Sequence, residues 1–125
     1  MKIHNGIDIV NIPKISENLN NQAFTRKVFT PAEIIACDAA LNPVQCYAEK
    51  FAAKEAFMKA IGQGIRQEVW FTQIEILEQE TGAHEISVQG KAKEILAKID
   101  PKKISVSISH SKDMVVAAVT LVDNA

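Results

Sequence analysis

No stretch of this sequence approaches the roughly 18–20 consecutive apolar residues of a membrane span, so no membrane is expected as a partner. The opening Met1-Lys2-Ile3-His4-Asn5-Gly6-Ile7-Asp8 has no apolar run long enough for a secretory signal, and an acid interrupts it. Charge of one sign is also lacking: 14 Lys and Arg stand against 15 Asp and Glu, a net charge of −1. A dedicated nucleic-acid binder would normally be basic, so no nucleic acid is expected either. Only two cysteines occur, Cys37 and Cys46, nine positions apart, which fits neither a C-x-x-C redox pair nor a zinc pattern. They are expected as free buried thiols in a reducing cytoplasm, the expected location of the protein. Internal repeats, low-complexity tracts and linkers are missing.

What remains is an ordinary globular chain. At 125 residues it is too short for a TIM barrel or a full two-half dinucleotide fold, and it fits one domain, residues 1–125. Folding at this size buries only about two-thirds of the unfolded surface. A deep private pocket is therefore hard to build, and a site between subunits would gain most. The charge divides mildly: residues 1–66 carry eight Lys or Arg and six Asp or Glu, net +2, and residues 67–125 carry six and nine, net −3. An anionic ligand would be favoured on the first half, although a solvated surface explains the same bias.

Residues 3–10 read as a first strand that ends before Pro13. Lys14 to Asn21 has a short helical pattern. Thr30-Pro31-Ala32-Glu33 is a helix start with cap, first-turn proline and capping box, for a helix to about Leu41. A longer helix is predicted from Pro43 to about Ile61, closed by Gly62-Gln63-Gly64. Trp70 to Leu77 and Glu85 to Val88 read as strands around a Thr81-Gly82 turn, and Lys91 to Ile99 as a helix. Ile104–Ile108 and Met114–Val122 are the last strands. This order, β-α-α-α-β-β-α-β-β, predicts an α+β fold with a largely antiparallel sheet and a long central helix.

Three places carry chemistry. Asp8 lies between isoleucines, with Ile7 and Ile9 on one face of the strand and Asp8 and Val10 on the other. It is either an edge-strand acid in solvent or a buried acid that needs a cation or donors. On the long helix Ala48, Ala52, Glu55, Lys59 and Gly62 form one stripe. That stripe would let a ligand approach the backbone with Glu55 and Lys59 reaching it, unless the two charges are simply an exposed i,i+4 pair. In Ser105-Val106-Ser107-Ile108-Ser109-His110-Ser111-Lys112 the serines share one face, and His110 stands at a turn rich in hydroxyl and amide groups that could hold phosphate. A lone His is no zinc site. Without a Gly-x-Ser-x-Gly elbow there is no sign of a hydrolase triad. The Gly62–Gly64 loop follows a helix and lacks the P-loop Lys-Ser/Thr.

Together these blocks resemble the holo-acyl-carrier-protein synthase family, the small 4′-phosphopantetheinyl transferases. The resemblance spans nearly the whole chain. Its specific part is Phe51-Ala52-Ala53-Lys54-Glu55-Ala56-Phe57-Met58-Lys59-Ala60-Ile61-Gly62-Gln63-Gly64, which matches F-x-x-K-E-x-x-x-K-x-x-G-x-G throughout; Gly6–Val10 and Val106–Ser111 flank it. The resemblance implies the 4′-phosphopantetheinyl transferase fold. It implies transfer of the 4′-phosphopantetheine arm of coenzyme A to a serine of apo acyl carrier protein, as in fatty acid biosynthesis, with adenosine 3′,5′-bisphosphate as the other product. It further implies catalytic roles for Asp8, Glu55 and Lys59, with Asp8 and Glu55 as ligands of Mg²⁺. Two carboxylates suffice for an ion that also takes phosphate and water. Lys50, Lys54, Lys59, Gly62, Gly64, His110 and Ser111 are the implied contacts to coenzyme A, with Lys50 standing where relatives often have Arg. No side chain is marked as acceptor of the serine proton, and water on the metal is the expected acceptor.

Lys14, Arg26 and Lys27 occupy the segment that relatives use to dock the acidic carrier, Lys14 replacing a common Arg and its bidentate fork. Other departures are His4, where many relatives have Gly, and the Gly82-Ala83-His84 turn, which lacks a frequent Gly-Lys-Pro. A homotrimer with sites between subunits is implied as well. Two alternatives stand beside this reading. One keeps the chemistry for a carrier of a specialised polyketide or peptide pathway. The other is a non-catalytic α+β binding module, which predicts loss of at least one of Asp8, Glu55 or Lys59; all three are present.

Overall fold

Side-chain caps written in the sequence start four of the helices. In the computed structural model, which describes residues 1–62 and 68–123, strand β1 (Lys2–Asn11) runs directly into α1 (Ile12–Asn18), where Asn11 Oδ1 accepts the Lys14 N–H at 2.9 Å. Helix α2 (Gln22–Val28) begins under Asn21, which accepts from Ala23 N. Helix α3 (Pro31–Asp38) has the expected reciprocal capping box: Thr30 Oγ1 accepts from Glu33 N at 3.3 Å, and Glu33 Oε1 accepts from Thr30 N at 2.8 Å. Helix α4 (Pro43–Ala60) starts at Asn42, and Gly62, with φ of +80°, follows its end in a conformation that only glycine adopts without strain. Beyond come a 3₁₀ turn at Phe71–Gln73, strands β2 (Ile74–Glu78) and β3 (His84–Val88), helix α5 (Gly90–Ile99), and strands β4 (Lys103–His110) and β5 (Met114–Asp123).

Among the described residues all strand pairs are antiparallel, as expected, but they form two sheets, a three-stranded one in the order β1-β5-β4 and the ribbon β2-β3. Helix α4 crosses the larger sheet, and its Ala48, Ala52, Ala53 and Ala56 are fully buried against Val115, Ala117, Val119 and Leu121 of β5 and the rest of the core. Gly6 makes this contact possible. A Cβ there would lie 1.8 Å from the Ala56 carbonyl oxygen and 2.7 Å from Ala60 N. The small residues of α4 thus admit a strand and not a ligand, which corrects the reading of Ala48 and Ala52.

Other expectations need correction. Gln22–Val28 is a helix that the apolar pattern did not show, since seven residues give too little periodicity. Trp70 to Gln73 is not strand: Phe71 is drawn out to stack on Phe51 of α4, with ring centroids 5.5 Å apart, and the strand starts at Ile74. Cys37 and Cys46 are not free thiols but are joined in a disulfide, with Cα atoms 5.3 Å apart. They stand at the end of α3 and in the first turn of α4, so the reversal between these helices brings together residues that spacing alone keeps apart. The argument from free thiols to a reducing compartment loses its support. No helix among the described residues is long and apolar enough to cross a membrane.

The two faces of β1 differ sharply. Gly6, Asp8 and Val10 turn toward α4, whereas Ile3, Ile7 and Ile9 are 54%, 63% and 61% exposed. His4, also on the inner face, hydrogen-bonds Asp123 at 2.9 Å, so the departure at this position is taken up by a contact with β5.

Candidate active site

Because Gly6 lets β1 lie against α4, Asp8 meets the helix near its last two turns. Lys59 Nζ donates to Asp8 Oδ1 at 3.0 Å and to the Ile7 carbonyl at 2.9 Å. The Asp8 side chain is 12% exposed and that of Lys59 48%. Glu55, one turn earlier on the same face, is half-buried. Its pKa is raised, chiefly by burial and then by the nearby Asp8 carboxylate, with Lys59 acting the other way. Two carboxylates close enough to raise a pKa, with one ammonium beside them, form an arrangement that a cation or a bound proton would relieve.

Glu55 stands between two cavities. One, of about 460 Å³, is lined by Lys27, Glu55, Met58, Lys59, Val69, Trp70 and Phe71. The other, of about 280 Å³, holds Asp8 and Glu55 with Lys14, Asn11, Asn18 and Phe51 among its lining. The fold thus brings together Asp8, Glu55 and Lys59, with Lys14 on one of the two cavities and Lys27 on the other. Arg26 faces elsewhere, into a shallower groove with Asp38 and Tyr47. The Tyr47 hydroxyl donates to Asp38 at 2.7 Å, and burial with this acid pushes its pKa far up. Trp70 is the residue the sequence reasoning missed. It is 62% exposed on the wall of the larger cavity, and its only sequence signal was being the single Trp, which strand propensity explained away.

Lys50 and Lys54, expected to contact coenzyme A, line neither of these cavities. Lys54 is fully buried: it pairs with Glu33 at 2.6 Å and donates to the carbonyls of Val28 at 2.7 Å and Phe71 at 3.1 Å. Lys50 donates to the Ile76 carbonyl at 2.5 Å. Burial lowers the pKa of both, with Glu33 the leading opposing influence. A residue next to Glu55 is turned by about 100° around the helix, so Lys54 points into the core when Glu55 points out of it.

His110 and Ser111 stand at the end of β4, across β5 from β1. They build the β4–β5 turn, in which Ser111 N donates to Met114 O at 2.9 Å and Met114 N to Ser111 Oγ at 3.3 Å. Neither lines the two cavities around Glu55. Gly62 follows α4 with open space where a Cβ would be, and Gly64 lies outside the described residues.

A sheet-backed helix that brings a carboxylate and a lysine to an open cleft, beside a second carboxylate on the first strand, defines a small α+β protein with a charged site. Comparison with known proteins makes that class particular. The family described as the 4′-phosphopantetheinyl transferase superfamily matches residues 5–119. The chain is 39% identical over 118 residues to the holo-acyl-carrier-protein synthase of Geotalea daltonii, covering 93% of this chain and 94% of that protein. It is similar to the crystal structure of holo-acyl-carrier-protein synthase from Neisseria meningitidis, with a TM-score of 0.84 and 37% identity over 96% of this chain and 98% of that one. It also matches the Bacillus anthracis synthase solved in complex with coenzyme A (3′,5′-ADP), with a TM-score of 0.79 and 30% identity over 97% and 96% of the two chains. The chain belongs to the 4′-phosphopantetheinyl transferase superfamily.

Proposed function

We propose that this protein is a holo-acyl-carrier-protein synthase: it transfers the 4′-phosphopantetheine arm of coenzyme A to a serine of apo acyl carrier protein, in fatty acid biosynthesis. The observation that carries this reading is the meeting of Asp8, Glu55 and Lys59 where two cavities share Glu55. In the reaction the serine oxygen forms a bond to the pantetheine-side phosphorus, and the phosphoanhydride bond to adenosine 3′,5′-bisphosphate breaks. Such a transfer is catalysed by positioning and by offsetting charge on the phosphoryl oxygens. Lys59, half in solvent and one turn from Glu55, supplies a cation to the diphosphate.

Asp8 and Glu55 are the residues that would hold Mg²⁺. Their donor set fits it: hard oxygen ligands, no Cys or His, and among the described residues no third acid or imidazole that would complete an all-protein cage. The ion, when bound, offsets charge on the diphosphate. Among the described residues no histidine of the same chain lines either cavity around Glu55, and solvent-derived oxygen takes the serine proton in this reading. Lys14, Arg26 and Lys27 dock the acidic carrier, Lys14 and Lys27 from the two cavities that share Glu55.

The working unit in this reading is a homotrimer. Ile3, Ile7 and Ile9 join Met114, Val116, Ala118 and Val122 on the outer face of the larger sheet, an apolar surface that a lone chain leaves in water. Copies packed on that face would let His110 and Ser111 complete a neighbour's cleft.

Incubation with coenzyme A, Mg²⁺ and a panel of apo carriers, read by mass spectrometry, tests the activity; the expected product is holo carrier, and no transfer to any of them overturns the reading. Charge reversal at Lys14 and Arg26 is expected to weaken carrier binding more than coenzyme A binding. Light scattering checks the assembly, for which Ile7→Lys should yield single chains.

A further inference from the structure

Lys54 sits directly beneath the cleft and touches none of its open volume, yet its ammonium binds both walls. The group has three N–H donors, and it has three partners. One is the Val28 carbonyl, which follows Lys27; the second is the Phe71 carbonyl, which follows Trp70; the third is the Glu33 carboxylate at the start of α3. Lys27, Trp70 and Phe71 line the larger cavity, whose floor is Glu55, Met58 and Lys59 of α4. Glu33 is itself held, by Thr30 N at 2.8 Å on one oxygen and Ile76 N at 2.7 Å on the other. The clasp therefore has a rigid anchor in α3 and β2. The Phe29 ring, 5.5 Å from the ammonium, closes the remaining side.

We infer that Lys54 is a positioning residue, a buried clasp that sets where the Lys27 wall and the Trp70 wall stand relative to Glu55 and Lys59. The bonds on the two walls are to backbone carbonyls, so they position the chain itself and leave the wall side chains free to face a ligand. Lys50, one turn earlier, makes a bond of the same kind to Ile76, but β2 is no part of the cleft. It is the built-in control.

The kinetic part of the test rests on the proposed transfer reaction, and the spectroscopic part does not. Trp70 is the only Trp, so its fluorescence anisotropy reports the wall directly in the free protein. Lys54→Met leaves Glu33 charged and short of a partner and can fail to fold. The paired variant Lys54→Met with Glu33→Gln leaves no unpaired buried charge, and the introduced amide oxygen still accepts from Thr30 N. Folded paired variant is expected to show added nanosecond motion of Trp70. Its KM for coenzyme A should rise roughly tenfold, with kcat within about threefold. Lys50→Met should change neither. Wild-type anisotropy and KM in the paired variant would overturn the inference. So would equal changes in Lys50→Met, which would mean general loosening. If the wild-type protein transfers nothing, the reaction reading fails while the anisotropy still decides the clasp.

Discussion

Two lysines five positions apart on one helix each pair with an acid, and the pairs behave as opposites. Lys54 and Glu33 are both fully buried, 2.6 Å apart, and every polar atom of the pair has a partner. Lys59 and Asp8 are 3.0 Å apart at the edge of an open cleft, with the lysine half in water. A buried pair is strongly destabilising to break, because the survivor is an uncompensated charge out of water; an exposed pair is worth little to stability, because water replaces the lost partner. The first pair builds the fold under the cleft. The second is free to exchange its partner for a ligand.

Breaking the buried pair should have the largest effect. Lys54→Met is expected to lower unfolding stability by about 3–5 kcal/mol, read from urea denaturation, and a loss below about 1 kcal/mol would place the pair in the same class as the exposed one. Next comes Gly6→Ala, which drives a Cβ into the Ala56 carbonyl and pushes β1 away from α4. Overpacking of this kind costs about 1–3 kcal/mol, and it should cut transfer activity by separating Asp8 from Lys59 while Lys54 and Glu33 stay paired.

Lys59→Met reverses the balance. Its stability cost is expected to fall below that of Lys54→Met, because the lysine is half in water, whereas transfer should fall on the order of a hundredfold in kcat. A near-normal rate would remove Lys59 from the reaction.

The smallest effect is a matter of pH. Glu55 has a pKa raised in the folded chain by burial and by Asp8, so its ionised form opposes folding above that pKa. Glu55→Gln should therefore be more stable than wild type at neutral pH. The advantage should shrink as pH falls through the raised pKa and vanish below the ordinary carboxylate value. Denaturation at pH 7 and pH 4 measures this, and an advantage that grew in acid would contradict the assignment.

Much of the scaffold was legible along the chain because it is decided within a few residues. Thr30 with Glu33 was read as a capping box because its bonds join residues three positions apart, and the alternation in β1 and β4 is local as well. The seven residues of α2 were not legible, since about two turns show no clear period. The irregular Trp70–Gln73 segment was hidden because Phe71 follows Phe51 and Lys54, partners about 20 positions away. Within the site, Glu55 and Lys59 were readable from i,i+4 spacing, and the family motif pointed to Asp8.

By itself the sequence determined which residues could do chemistry: an acid on the first strand, and an acid and a lysine one turn apart on a long helix. Only the tertiary structure decided which of them face a cleft. It turned Lys50 and Lys54 inward, joined Cys37 to Cys46 across a helix reversal, and left the isoleucines of β1 in the open. Side-chain direction along a helix or strand is local geometry, but burial is settled by what another element brings against it, and that is not written in any short stretch of chain.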